Sequence, residues 1–91
     1  MNPVRPLWRY VYVLRSKKNS KFYTGVTANL KERLEQHNKG LVFSSRNMRP
    51  LCLVYFEACL NNNDAYRREE YLKTGTGKRY IRNRIRGGLT G

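Results

Sequence analysis

Arg9-Tyr10-Val11-Tyr12-Val13-Leu14-Arg15, then Ser16-Lys17-Lys18-Asn19-Ser20, then Lys21-Phe22-Tyr23-Thr24-Gly25-Val26-Thr27: this stretch decides the fold. Its outer parts are rich in β-branched and aromatic residues, which suit a pleated, half-buried surface, and its middle is a short polar turn. The stretch therefore reads as a hairpin. Gly25, inside the second strand, marks a point where another backbone, side chain or ligand comes close.

Working outward, Leu30, Leu34 and His37 recur at helical spacing, which predicts a helix over residues 29–39 with Asn29 or Thr27 as N-cap and Gly40 as its stop. Residues 40–50 form a loop carrying Arg46 and Arg49. The near-continuous apolar run at residues 51–58 reads as a buried third strand. Asn61, Asn62, Asn63 and Asp64 form a capping cluster for a helix over 65–73, which Thr74-Gly75-Thr76-Gly77 breaks. A very basic last helix spans 78–86 and ends at Gly87-Gly88. The order ββαβαα predicts a mixed α/β (α+β) fold on a small, largely antiparallel sheet. Residues 1–8, with Pro3 and Pro6, read as an extended arm, 9–87 as one domain and 88–91 as a short tail.

Ninety-one residues allow one small core. The chain holds 19 Lys+Arg against 6 Asp+Glu, a formal net charge of +13. Such an excess calls for a polyanion, since each phosphate met by Lys or Arg releases condensed counterions. No run approaches the ~20 apolar residues of a membrane span, and no segment has the pattern of a basic membrane-surface helix. Nucleic acid is therefore the expected partner, not a membrane. Cys52 and Cys59 lack CxxC spacing and read as reduced thiols, which fits a reducing cytoplasm, in association with the nucleoid.

Few residues are suited to chemistry on a phosphodiester. Tyr12 or Tyr23 would accept a proton from water if positive charge stabilised its phenolate; otherwise both are ordinary strand tyrosines. Arg33 falls on the same helix face as Leu30, Leu34 and His37, and an inward guanidinium needs a partner, either a phosphate or Glu69. His37 is a structural residue or a substrate contact. Among the acids, Glu32 and Glu35 face away on the first helix, Glu57 ends a strand and Asp64 suits a first helical turn. Glu69 points inward, where it would hold a divalent metal or pair with Lys73. Lys78, Arg79, Arg82, Asn83, Arg84 and Arg86 supply nucleic-acid contacts from the last helix, and Arg46 and Arg49 supply them from the loop.

Tyr10-Val11-Tyr12-Val13-Leu14, residues 22–38 from Phe22-Tyr23-Thr24-Gly25 through Arg33 and His37, and residues 65–80 around Glu69 resemble, in order and spacing, the motifs of the GIY-YIG nuclease family. The likeness is greatest to its small stand-alone, excinuclease-subunit-like members and covers residues 8–86. It implies a three-stranded antiparallel sheet flanked by helices and metal-dependent hydrolysis of DNA. By the same resemblance, Tyr12 and Tyr23 match the motif tyrosines, Gly25 the motif glycine and Arg33 the helix arginine. Glu69 matches the metal-binding glutamate, His37 a histidine of some branches and Asn83 a late asparagine. Two positions depart. Tyr10 stands for the first-motif glycine, and Val26 stands where excision-repair members carry lysine, which removes a phosphate or proton contact.

The expected activity is an endonuclease using Mg²⁺ or Mn²⁺ and no small-molecule cofactor. It would select DNA structure, such as branched or damaged DNA, rather than sequence, with a protein partner for targeting. A non-cutting nucleic-acid-binding module on the same fold and a basic RNA-associated protein are the alternatives.

Overall fold

A computed structural model describes residues 7–87; the expected arm falls mostly, and the expected tail wholly, outside them. The hairpin forms as expected from β1 (Arg9–Ser16) and β2 (Phe22–Thr27), paired antiparallel with Tyr12 opposite Gly25. Ser16 closes the turn: its carbonyl accepts from the Ser20 amide at 2.9 Å, and its hydroxyl accepts from the Lys18 and Asn19 amides at 3.1 and 3.3 Å. Next come α1 (Leu30–Asn38), a 3₁₀ turn (Arg46–Met48), β3 (Leu51–Cys59), α2 (Asn62–Lys73) and α3 (Gly75–Arg84). The fold is α+β, in the order ββαβαα. The sheet has three antiparallel strands ordered β2-β1-β3, so β1 is central.

Successive residues of a strand point to opposite faces, and β1 uses that to build two cores. Val11 and Val13 pack with Ala65, Leu72 and Ile81 on the α2 and α3 side. Tyr12 and Leu14 pack on the other side with Leu51, against Leu30 and Leu34 of α1. β3 corrects the expectation of a buried strand. It lies at the sheet edge, and Phe56 on it is half exposed. Its run of apolar residues without alternation has a cause. Val13 pairs with Tyr55 but Leu14 with Leu53, leaving Val54 as the extra residue of a β-bulge. Val54 and Tyr55 then both join the α2–α3 core, while Leu53 joins the other.

The helices begin and end on named side chains. Asn29 caps α1, its side chain accepting from the Glu32 amide at 3.1 Å. The α1 stop is a Schellman motif: the Gly40 amide donates to the His37 carbonyl at 3.1 Å and the Leu41 amide to Gln36 at 3.0 Å, with Gly40 at φ +77°. Asn61 caps α2, earlier than the expected start at residue 65. The expected four-residue break after α2 is a single residue. Thr74 ends α2 and caps α3, its hydroxyl donating to the Tyr71 carbonyl at 2.6 Å and accepting from the Gly77 amide at 3.1 Å. Gly75 to Gly77 therefore belong to α3, not to a linker. A Cβ at Gly77 would overlap the Tyr71 carbonyl oxygen and Leu72 Cα, so glycine there lets the two helices approach. Among the described residues, no helix is long and apolar enough to cross a membrane. Cys52 and Cys59 are free thiols.

Candidate active site

The centre of β1 carries the site. Tyr12 is 2 % exposed, and the phenol lies over Gly25 on the neighbouring strand, where an added Cβ would come within 2.5 Å of Tyr12 Oη. The glycine expected to mark a close approach thus admits the phenol of the first tyrosine. From α1, Arg33 Nε donates to Tyr12 Oη at 3.3 Å and His37 Nε2 lies 2.8 Å from the same oxygen. His37 is fully buried, with its Nδ1 at 2.6 Å from Ser45 Oγ, and Ser45 Oγ is 3.5 Å from the Val42 carbonyl. One assignment gives every hydrogen in this chain a partner: Arg33 donates to Tyr12, Tyr12 to His37, His37 to Ser45 and Ser45 to Val42.

Burial sets the protonation of both central groups. It pushes the Tyr12 phenol above its ordinary value, and the hydrogen bond and charge of Arg33 only oppose that rise. The resting Tyr12 is therefore a neutral phenol: Arg33 favours the phenolate, as positive charge should, but burial outweighs it. Burial, followed by the Arg33 charge, pushes His37 down to about 4, so the imidazole is neutral near pH 7.

Tyr23 takes a second place beside this chain. Its ring meets His37 edge-on at 4.9 Å and its hydroxyl lies 3.0 Å from Ser44 Oγ. Arg33 is not paired with Glu69. Besides Tyr12 it donates to Gln36 Oε1 at 3.0 Å, and it faces a hollow of about 310 Å³ lined by Val26, Thr27, Ala28, Asn29, Glu32, Arg33 and Gln36. Glu32, expected to face away, lies at that hollow and contacts Asn29 and Gln36. The N-cap geometry at Asn29 turns it there. A second hollow of about 320 Å³ is lined by Phe22, Tyr23, Thr24, Ser44, Lys73 and Lys78.

Glu69 pairs with Lys73 at 3.4 Å, with its side chain 19 % exposed. Its charge is nevertheless felt at the Tyr12 phenol, which it pushes up. Among the described residues no group of three or more His, Cys, Asp or Glu side chains could hold a metal ion. A lone carboxylate suits a hard cation that keeps several waters and takes its other oxygens from a phosphate. Glu69 fits that role once Lys73 releases it.

The remaining expected contacts lie apart from Tyr12, on exposed positions. Arg46 sits over Phe43 at 4.8 Å and Arg49 Nε donates to the Arg46 carbonyl at 2.8 Å. Arg82 lies over Phe22 of β2 at 5.5 Å and Arg84 over Tyr80 of its own helix at 4.8 Å, so part of the basic helix stacks on aromatics of the domain. Lys78, at the second hollow, and Arg79, Asn83 and Arg86 are exposed. Lys73 is the partner that the spacing offered Glu69, whereas Ser44, Ser45 and Gln36 were not singled out from the sequence as site residues. Gln36 alone had a signal, three residues after Arg33 on the same helical face.

Three antiparallel strands and three helices in the order ββαβαα are the fold of a known class of catalytic domain. The model of the GIY-YIG catalytic domain matches residues 9–84, and the chain belongs to the GIY-YIG family. It is 45 % identical over 65 residues to a UPF0213 protein of Clostridium perfringens, covering 70 % of this chain and 69 % of that one. It is 38 % identical over 72 residues to a UPF0213 protein of Desulfotalea psychrophila, of whose length it spans 63 %. The solution NMR structure of a UPF0213 protein from Bacillus halodurans superposes with a TM-score of 0.51 at 28 % identity, over 81 % of each chain.

Proposed function

We propose that this protein is an endonuclease that hydrolyses DNA phosphodiesters, selecting structure rather than sequence. The observation that carries the proposal is the buried chain from Arg33 through Tyr12 to His37 and Ser45. It brings a fixed cation and a proton relay to one point of a protein with net charge +13.

Arg33 takes the scissile phosphate from its hollow and stabilises the charge that builds on it. That contact offsets the Arg33 charge, the smaller of the two causes that hold His37 low, so the imidazole takes a proton more readily as substrate arrives although burial still opposes it. As water attacks phosphorus, its proton passes to Tyr12 Oη while the Tyr12 proton passes to His37 Nε2. The P–O bond to the leaving oxygen breaks, and that oxygen takes a proton from solvent. Tyr23, held by Ser44, orients the water. Glu69 would hold Mg²⁺ or Mn²⁺, which supplies neutralisation of charge at the phosphate and leaving oxygen.

The Glu69–Lys73 pair favours a second reading, a module that grips nucleic acid without cutting. Supercoiled plasmid and branched DNAs incubated with Mg²⁺, Mn²⁺ or EDTA, with wild type beside Glu69→Gln, separate the two. Cutting that needs metal and vanishes in Glu69→Gln, while DNA binding persists, supports the nuclease. Tight binding without cutting in any metal moves the conclusion to the module.

A further inference from the structure

Phe43 is 80 % exposed, the most exposed large hydrophobic side chain among the described residues. Its support is fixed. Val42 before it is buried, Ser44 after it bonds Tyr23 at 3.0 Å, and Ser45 bonds His37 at 2.6 Å. The ring is thus held in water by the same loop that completes the site. Phe56, by contrast, is 50 % exposed and meets Tyr10 edge-on.

One cation lies on this ring, and two more line a hollow that begins at the next residue. The Arg46 guanidinium lies 4.8 Å from its centroid. Ser44, the next residue, lines the hollow that Tyr23, Lys73 and Lys78 also line. A flat apolar face that carries a guanidinium and stands one residue from a hollow with two ammonium groups matches one chemistry: a nucleobase with its phosphate. In duplex DNA both faces of a base are covered by neighbours, so only an unpaired or loosened base can lie on a protein ring.

We propose that Phe43 and the Lys73–Lys78 hollow form a subsite for an unpaired nucleotide flanking the scissile phosphate. The base stacks on Phe43 and the phosphate meets the two lysines. Every base has a π-face, so this subsite selects gapped, forked or single-stranded DNA without reading sequence. The inference deepens the nuclease reading and rests on it for the identity of the neighbouring phosphate.

Binding in EDTA tests it without asking for cleavage. The probes are fluorescein-labelled oligo-dT and a blunt duplex of equal length, followed by anisotropy at fixed salt. Phe43→Ala should weaken oligo-dT binding about tenfold and duplex binding by less than about twofold. Phe43→Tyr should restore it. Phe43→Trp in a Trp8→Phe background should lose fluorescence on oligo-dT and keep it on the duplex. Equal losses on both DNAs, no loss on either, or unquenched fluorescence would overturn the subsite. A protein that stacks oligo-dT through Phe43 yet cuts nothing keeps the subsite and loses the nuclease. One that cuts and is indifferent to Phe43→Ala keeps the nuclease and loses the subsite.

Discussion

On one side of β1, Val11 and Val13 meet Ala65, Leu72 and Ile81 in an all-apolar cluster. On the other, Tyr12 and Leu14 share their layer with His37 and Ser45, whose polar atoms are all buried and all bonded. The first face gains its stability from area, which is indifferent to direction. The second depends on hydrogen bonds of fixed angle, where one missing partner leaves a buried polar group stranded. A single strand thus anchors the fold through its valines and aims the chemistry through its tyrosine. Damage to the two faces should be distinguishable by whether stability or activity falls.

The apolar face should give the largest effect. Leu72→Ala is expected to cost about 4 kcal/mol through its cavity, with the melting temperature falling by roughly 15–25 °C. Folded molecules at low temperature should still bind DNA. A thermal melt that moves by only a few degrees would show that the apolar cluster is not the anchor.

The pH response of the polar face comes next. The folded His37 lies at about 4, below its unfolded value of 6.5, so the unfolded chain takes up a proton first as pH falls. Its contribution is whole above pH 6.5, shrinks down to about 4 and is flat below, a total of about 3 kcal/mol. Urea unfolding from pH 3.5 to 7.5 should show this slope, and His37→Gln should flatten it. An unchanged slope in that variant would assign the pH dependence to other groups.

Arg33→Ala sharpens the contrast from the opposite direction. Cleavage should slow about a hundredfold, roughly 2.7 kcal/mol in the transition state, while the melting temperature falls by only a few degrees, because the Tyr12 hydroxyl keeps its bond to His37 and is not stranded. The smallest effect belongs to a residue outside both faces. Asn61 accepts from the Asn63 and Asp64 amides at 2.7 and 3.3 Å, and Asn61→Ala should cost about 1 kcal/mol in a thermal melt without changing the cleavage rate of folded protein.

The hairpin, the cap at Asn29, the stop at Gly40 and the order ββαβαα were legible because each rests on local chemistry. Arg33 and His37 could be placed on the inward face of a helix from spacing alone. Their partners could not. Ser44 and Ser45 sit in a loop with no period, and only the folded chain brings them to Tyr23 and His37. The protonation of Tyr12 was not legible, because net charge is a property of composition, whereas the dominant influence on a buried phenol is its own loss of water. The third strand was misplaced to the interior because its bulge erases the alternation that would have shown an exposed face.

That bulge at Val54 has a further consequence, for how the molecule meets its own copies. β3 is an outer strand, and a long flat outer strand is a template on which a second chain can zip. An extra residue interrupts the regular spacing of amides and carbonyls and increases the local twist. Sliding β3 by one step would also expel Val54 and Tyr55 from the side they share. The irregularity acts as a key cut for one lock: it admits β1 in a single alignment and offers a stranger's strand no matching edge.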